Sequence, residues 1–306
     1  MGTKESKNYS SYNDDIKKMN KEIIEKLYSE AIIKKMNKEI IKNGSMVDIK
    51  TLKYIFKMTK NDDKDQALKY LALRCENARS INLNYDINAE SMNHLSKAIK
   101  DNKTMSHLIL NCDINIESMK CLSEAIKENK TITRLQLSHD INTESMKCLS
   151  EAIKENKTIT HLFLACVINA GSMKYLCDVI KDTKIVTCLV LGREIYIESM
   201  IYLSAVIKDN RTITHLQLSH DINTESMKYL SDVVKDNKTI THLIFCSDIN
   251  VNSMKYLSET IKYNKIITHL IFHSNINAES MKYLSEALKC NKAIIHLHLY
   301  HDINVG

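Results

Sequence analysis

Apolar residues along this chain change their period once in every cycle of sequence. Between Ile132 and Thr158, Leu135 and Leu137 alternate with Arg134, Gln136 and Ser138, the period-two pattern of a short half-buried strand. Met146, Leu149 and Ile153 then fall at i, i+3 and i+7, one face of a helix. Asn142 followed by Glu144 predicts the helix start, a side-chain acceptor with a negative charge beside it. Asn156 predicts its end, as a residue that tolerates the left-handed conformation just past a helix. Asn102, Asn129, Asn210, Asn237, Asn264 and Asn291 repeat that stop, with Thr183 the exception.

The cycle is 27 residues long and does not slip. Asp140-Ile141-Asn142 recurs beginning at Asp86, Asp113, Asp221, Asp248 and Asp302, with degenerate copies at Val167, Glu194 and Asn275. A unit of strand, turn, helix and turn this short cannot bury its apolar face alone, so neighbours must stack into a solenoid. The pattern L-x-L-x-x-(N/D) … I … L … I … N, carried over residues 78–306, resembles the ribonuclease-inhibitor type of leucine-rich repeat. That type also occurs in the Ran GTPase-activating protein and in nucleotide-binding immune receptors. The resemblance implies an α/β horseshoe of nine strand units, with parallel strands on the concave face and helices on the convex face. Two departures stand out. The family usually keeps 28 residues per unit rather than 27. Its Asn-ladder position is mostly Asp here, and an ionised Asp accepts but cannot donate, so the turn after the strand is expected to differ in detail.

Composition changes the picture little. At 306 residues, 44% apolar and without proline, the chain can bury a large elongated core. No apolar run reaches the length of a membrane span, and none resembles a signal peptide. The nine cysteines are scattered, and Cys121 and Cys148 take a helix column that Tyr175, Tyr202, Tyr229, Tyr256 and Tyr283 occupy elsewhere. They read as small packed hydrophobes in a reducing, cytoplasmic compartment.

Residues 1–77 carry 17 Lys/Arg against 12 Asp/Glu, whereas the remaining residues carry 26 against 25, so the basic excess belongs to the N-terminal region. Residues 1–15 are expected to be flexible and residues 16–77 helical, with 45–77 capping the first strand edge. Ile-Lys-Lys-Met-Asn-Lys-Glu-Ile-Ile occurs at 16–24 and again at 33–41, and Asn43-Gly44 is a stop. Met1-Gly2-Thr3-Lys4-Glu5-Ser6 fits the N-myristoylation pattern at Gly2, and one acyl chain gives only weak membrane association without a second signal. Residues 16–60 faintly resemble an F-box without its proline, and a helical cap explains them better.

Strand residues that alternate with the leucines line one face in three columns. The first holds His107, Arg134, His161, Cys188, His215, His242, His269 and His296, and the second Ile109, Gln136, Phe163, Val190, Gln217, Ile244, Ile271 and His298. The third runs from Asn84 to His273 and Tyr300. His215, His242, His269 and His296 should stack about 4.8 Å apart. Such a row offers a metal only two ligands at a time, with His273, His298 or Cys246 as candidate thirds, and no metal is assigned. Its alternatives are pH sensing through mutually lowered pKa values, or a polar residue copied by duplication. Cys112, His139 and Cys166 share a column too, but the two cysteines are too far apart to close on one ion.

Phe163 with Val190, and Ile244 with Ile271, are expected to form exposed apolar pairs, the mark of a protein interface. Arg134 is nearly alone as a cation in these columns, which disfavours nucleic acid on this face. Lys147 and Glu151 typify the solvated outer helices. The sequence has no P-loop, nucleophile elbow, H-E-x-x-H or Cys-x-x-Cys, and five glycines leave little for phosphate cradles, so neither an enzyme nor a cofactor is expected. Partner-binding residues are therefore expected at His107, Arg134, His161, Phe163, Val190, His215, Gln217, His242, Ile244, His269, Ile271, His296, His298 and Tyr300. An open strand edge near His296, His298 and Tyr300 is a further expected contact, for self-association or for a partner strand. The reading is a protein-binding scaffold, with a small-GTPase regulator and a ubiquitin-ligase adaptor as alternatives.

Overall fold

The computed structural model describes residues 46–47, 78–83, 89–112, 114–193 and 195–300. The chain divides into two units, residues 1–64 and 65–306. In the first, Met46–Val47 is a short strand. Gly2, the repeated segments at 16–24 and 33–41, the F-box-like stretch and the rest of the expected cap lie outside the described residues.

The second unit is an α/β repeat solenoid. Its strands are β1 (Ser80–Leu83), β2 (His107–Leu110), β3 (Arg134–Leu137), β4 (His161–Leu164), β5 (Cys188–Leu191), β6 (His215–Leu218), β7 (His242–Phe245), β8 (His269–Phe272) and β9 (His296–Leu299). Between them lie α1 (Ala89–Asp101), α2 (Ile116–Glu128), α3 (Thr143–Glu155), α4 (Ala170–Asp182), α5 (Ile197–Asp209), α6 (Thr224–Asp236), α7 (Val251–Tyr263) and α8 (Ala278–Cys290). The strands pair in parallel in chain order, each residue opposite its equivalent one cycle on, as Gln136 faces Phe163. Parallel neighbours need a crossover, and each helix supplies it.

The predicted periodicities set the core. Leu135 and Leu137 are buried from one side, and Met146, Leu149 and Ile153 meet them from α3. Full burial of such a side chain stabilises by about 1.5–3 kcal/mol, but only once the next repeat covers it.

The helix starts form as predicted. Asn142 Oδ1 accepts the Ser145 N–H at 2.8 Å, and Asn115, Asn169, Asn223, Asn250 and Asn277 cap their helices in the same way. Tyr196, at the degenerate Glu194 copy, makes no side-chain cap.

The helix stops are where the expectation fails. Asn156 is extended (φ −69°, ψ 136°), not left-handed, and its equivalents are extended too. Its side chain is the reason. Nδ2 donates to Ile126 O (2.7 Å) and Asn129 O (3.0 Å) of the preceding repeat, while Oδ1 accepts from Thr158 N (2.8 Å) and Ile159 N (2.9 Å). An amide both donates and accepts, so wherever Asn holds this buried position it ties its repeat to the one before it, Thr183 being the exception. The asparagine ladder therefore runs along the helix ends, not through the Asp after the strand. That Asp does the one thing a carboxylate can: Asp140 Oδ1 accepts from Val167 N of the next repeat at 3.0 Å.

Candidate functional site

One face of the sheet packs on the helices, and the other carries the side chains that alternate with the buried leucines. His107, His161, Phe163, His215, Gln217, His242, Ile244, His269 and Ile271 are half-buried on this open face, and Arg134, His296, His298 and Tyr300 are exposed. Ile244 stands opposite Ile271 in the register, both half-buried where exposure was expected. Val190 is more enclosed still. It is 9% exposed, enclosed between Phe163 and Gln217, the longer side chains opposite it on β4 and β6. Phe163 is thus a single half-buried aromatic rather than half of an exposed pair.

The histidines form the expected row. Ring centroids lie 3.8 Å apart from His215 to His242, 4.0 Å from His242 to His269, and 4.3 Å from His269 to His296. At the end of the sheet His273 stacks on Tyr300 at 4.4 Å. Among the described residues no three His, Cys, Asp or Glu side chains group to hold one metal ion. Cys166, in the column of His139, is buried, and its thiol is pushed up to about 12.

Reading the face by columns leaves out the residue just before each histidine. The Thr214, Thr241 and Thr268 hydroxyls lie 2.8, 2.9 and 2.9 Å from Nδ1 of the following ring. Thr160 and Ser106 stand the same way to His161 and His107. Each hydroxyl is also within hydrogen-bond reach of a carbonyl one repeat back, 3.2 Å from Thr241 Oγ1 to Thr214 O and 3.3 Å from Thr268 Oγ1 to Thr241 O. Those carbonyls already accept two amides, Thr214 O from Thr241 N and His242 N, both at 2.9 Å. A carbonyl oxygen has two lone pairs, so the hydroxyl proton is better placed on Nδ1, and this network assigns the ring proton to Nε2. Nε2, across the ring from the hydroxyl, is the nitrogen left for a ligand. The signal was in the sequence as Thr-His, repeated; Ile295 breaks it before His296.

Burial holds the His242 imidazole down at about 4, with the charges of His215, His269 and His296 adding to the effect. Burial likewise lowers His215, His161 and His107, with Arg134 also opposing protonation of the last two. The expected mutual lowering is therefore present but second to desolvation, because a half-buried ring loses hydration before it meets a charged neighbour.

A broad groove of 1320 Å³ lies away from this face, along the β→α turns at Tyr196, His220, Asp221, Asp248 and Asn277. It follows the helix caps and brings no convergent reactive groups together. No described helix is long and apolar enough to cross a membrane.

No protein-family model matches the chain, and no curated protein matches it either. Among solved structures it is similar to leiomodin-1 actin-binding site 2, at 14% identity and a TM-score of 0.33, over 58% of this chain and 91% of that one.

Proposed function

We propose that the chain is a non-enzymatic scaffold of the ribonuclease-inhibitor type of leucine-rich repeat, working in the cytoplasm and binding a partner protein on its open sheet face. The observation that carries the reading is the alignment on that face of an apolar pair, Ile244 opposite Ile271, beside a stacked row of imidazoles. A repeated unit lays like residues side by side, which builds a long recognition strip without a pocket. Aliphatic side chains bordered by polar ones are the usual composition of a protein interface.

The test is affinity capture with mass spectrometry on the full chain, beside a bait carrying Ile244→Asp and Ile271→Asp. The expected result is a partner held by the first bait and lost, by tenfold or more in recovery, from the second. Equal capture by both would move the site off this face. A small-GTPase regulator is separated by a GTP-hydrolysis assay, in which this reading expects no acceleration.

A further inference from the structure

Charge on the solenoid is sorted between its two rims. At the α→β turns, the eight four-residue segments from 100–103 to 289–292 hold 16 Lys/Arg and six Asp/Glu. At the opposite rim, the segments 140–144, 221–225, 248–252 and 275–279 hold six Asp/Glu and no Lys or Arg. Helix dipoles account for part of this. Eight helix C-termini present about half a negative charge each, roughly −4 together, which leaves most of the basic rim uncompensated. Lys100, Lys127 and Lys154 pair with Glu128, Glu155 and Asp182 of the next repeat at 2.8–3.1 Å. The second cation of each segment, such as Lys238 and Lys265, is exposed and pairs with no acid among the described residues.

That cationic column leads into the histidine row, Lys238 four residues before His242 and Lys265 four before His269, across the turn that enters each strand. The face between the rims carries no acidic side chain in any of its three columns, so Arg134 and the histidines can only make it more positive. The Thr hydroxyls equip the rings for that change. A protonated ring donates from Nδ1 to Oγ1, and the hydroxyl proton turns to the carbonyl one repeat back, a longer third contact on an oxygen that already accepts two amides. Nε2–H is a donor in both states.

We propose that the segment this scaffold takes up is an acidic stretch of polypeptide, laid across the strands along the histidine row and held more tightly as pH falls. The proposal rests on the scaffold reading and adds the partner's chemistry. Carboxylates meet the Nε2–H donors and the Lys238–Lys265 rim, while intervening side chains lie over Ile244 and Ile271. Nucleic acid fits less well. The basic strip lies before one end of each four-residue strand, and the acidic rim lies beyond the other, Asp248 being ten residues on from Lys238, where it repels a broad polyanion. The groups facing His242 and His269 are His215, His296, His273 and His298, with Arg134 farther along and Asp221 and Asp248 at the far rim. Bound carboxylates favour the protonated rings, so binding takes up protons and strengthens on acidification until the peptide itself is neutralised.

The experiment is fluorescence anisotropy on the full chain with a labelled 12-residue peptide of alternating Glu and Ser. Its Gln/Ser counterpart and a 12-residue oligothymidylate are the comparisons, each at pH 7.5 and 5.5. Binding of the Glu peptide, at least tenfold tighter at pH 5.5 and at least tenfold weaker for the Gln peptide, is expected. His242→Gln with His269→Gln should abolish the pH gain, and Thr241→Val with Thr268→Val should shrink it, since valine cannot accept the Nδ1 proton. Lys238→Glu with Lys265→Glu should weaken binding at both pH values, with thermal melts showing that each variant folds. Absence of Glu-peptide binding, equal affinity for the Gln peptide, a pH gain that survives the histidine changes, or tighter binding of the oligonucleotide would each overturn the proposal. A captured partner that depends on Ile244 and Ile271 but is not displaced by the Glu peptide would leave the scaffold standing and remove only this inference.

Discussion

Asn156 shows how much a single side chain carries in a repeat. Its four hydrogen bonds reach two backbone carbonyls of one repeat and two amides of the next, three of them buried and the one from Thr158 N partly so. Asn156→Ala strands those groups, and each unsatisfied buried polar group costs about 1–3 kcal/mol, so a loss of at least about 3 kcal/mol is expected in denaturant unfolding. The natural exception supplies the reverse test. Thr183 turns its hydroxyl back to Val179 O at 2.8 Å rather than to a neighbouring repeat. Thr183→Asn rebuilds the ladder there and should stabilise by about 1 kcal/mol, read as a higher urea midpoint. Gly192 is fixed for a simpler reason: a Cβ there would stand 2.7 Å from the Ala165 Cα. Backbone in the neighbouring repeat, just past β4, cannot yield cheaply, so Gly192→Ala should cost about 1–3 kcal/mol. The sequence showed these residues as a periodic Asn and as one of few glycines. It could not show that the Asn spans two repeats, because its partners lie 27 and 30 residues away.

Each helix packs a face of Met, Leu and Ile, and a serine column lies beside it. The Ser150 and Ser231 hydroxyls are buried without a hydrogen-bond partner, and Cys177 holds the same column in α4. A desolvated, unpaired hydroxyl contributes nothing that a methyl does not, so Ser150→Ala should be neutral or stabilising by up to about 1 kcal/mol. A clear loss on melting would mean that the hydroxyl has a partner in solution. Elements were the most legible level of the sequence. Strand and helix periods, the Asn caps and the row of histidines all follow from local spacing. Val190 was misplaced because its exposure depends on the length of the side chains across from it, Phe163 and Gln217.

Over the whole solenoid, the strand-face histidines tie stability to pH. His107, His161, His215, His242 and His269 all titrate below the ordinary 6.5, His242 at about 4. The unfolded chain then binds more protons than the folded one between those values. The stabilisation is complete above about pH 6.5 and is lost as pH falls toward 4. Thermal melts should show Tm dropping from pH 7.5 to 5, and His242→Gln should flatten the slope. An unchanged slope would mean that the ring is charged in the folded state.

The sequence by itself determined the repeat length, the order of strand and helix, the buried faces and the columns of the open face. Each of these depends on contacts within a residue's own cycle or on the exact copying of that cycle. Tertiary structure decided what happens between cycles: the Asn ladder, the carbonyl that each Thr–His pair shares with the repeat before it, and the cover over Val190. Those features arise only when residues a full repeat apart are brought within a few ångströms, a distance set by stacking and not by spacing along the chain.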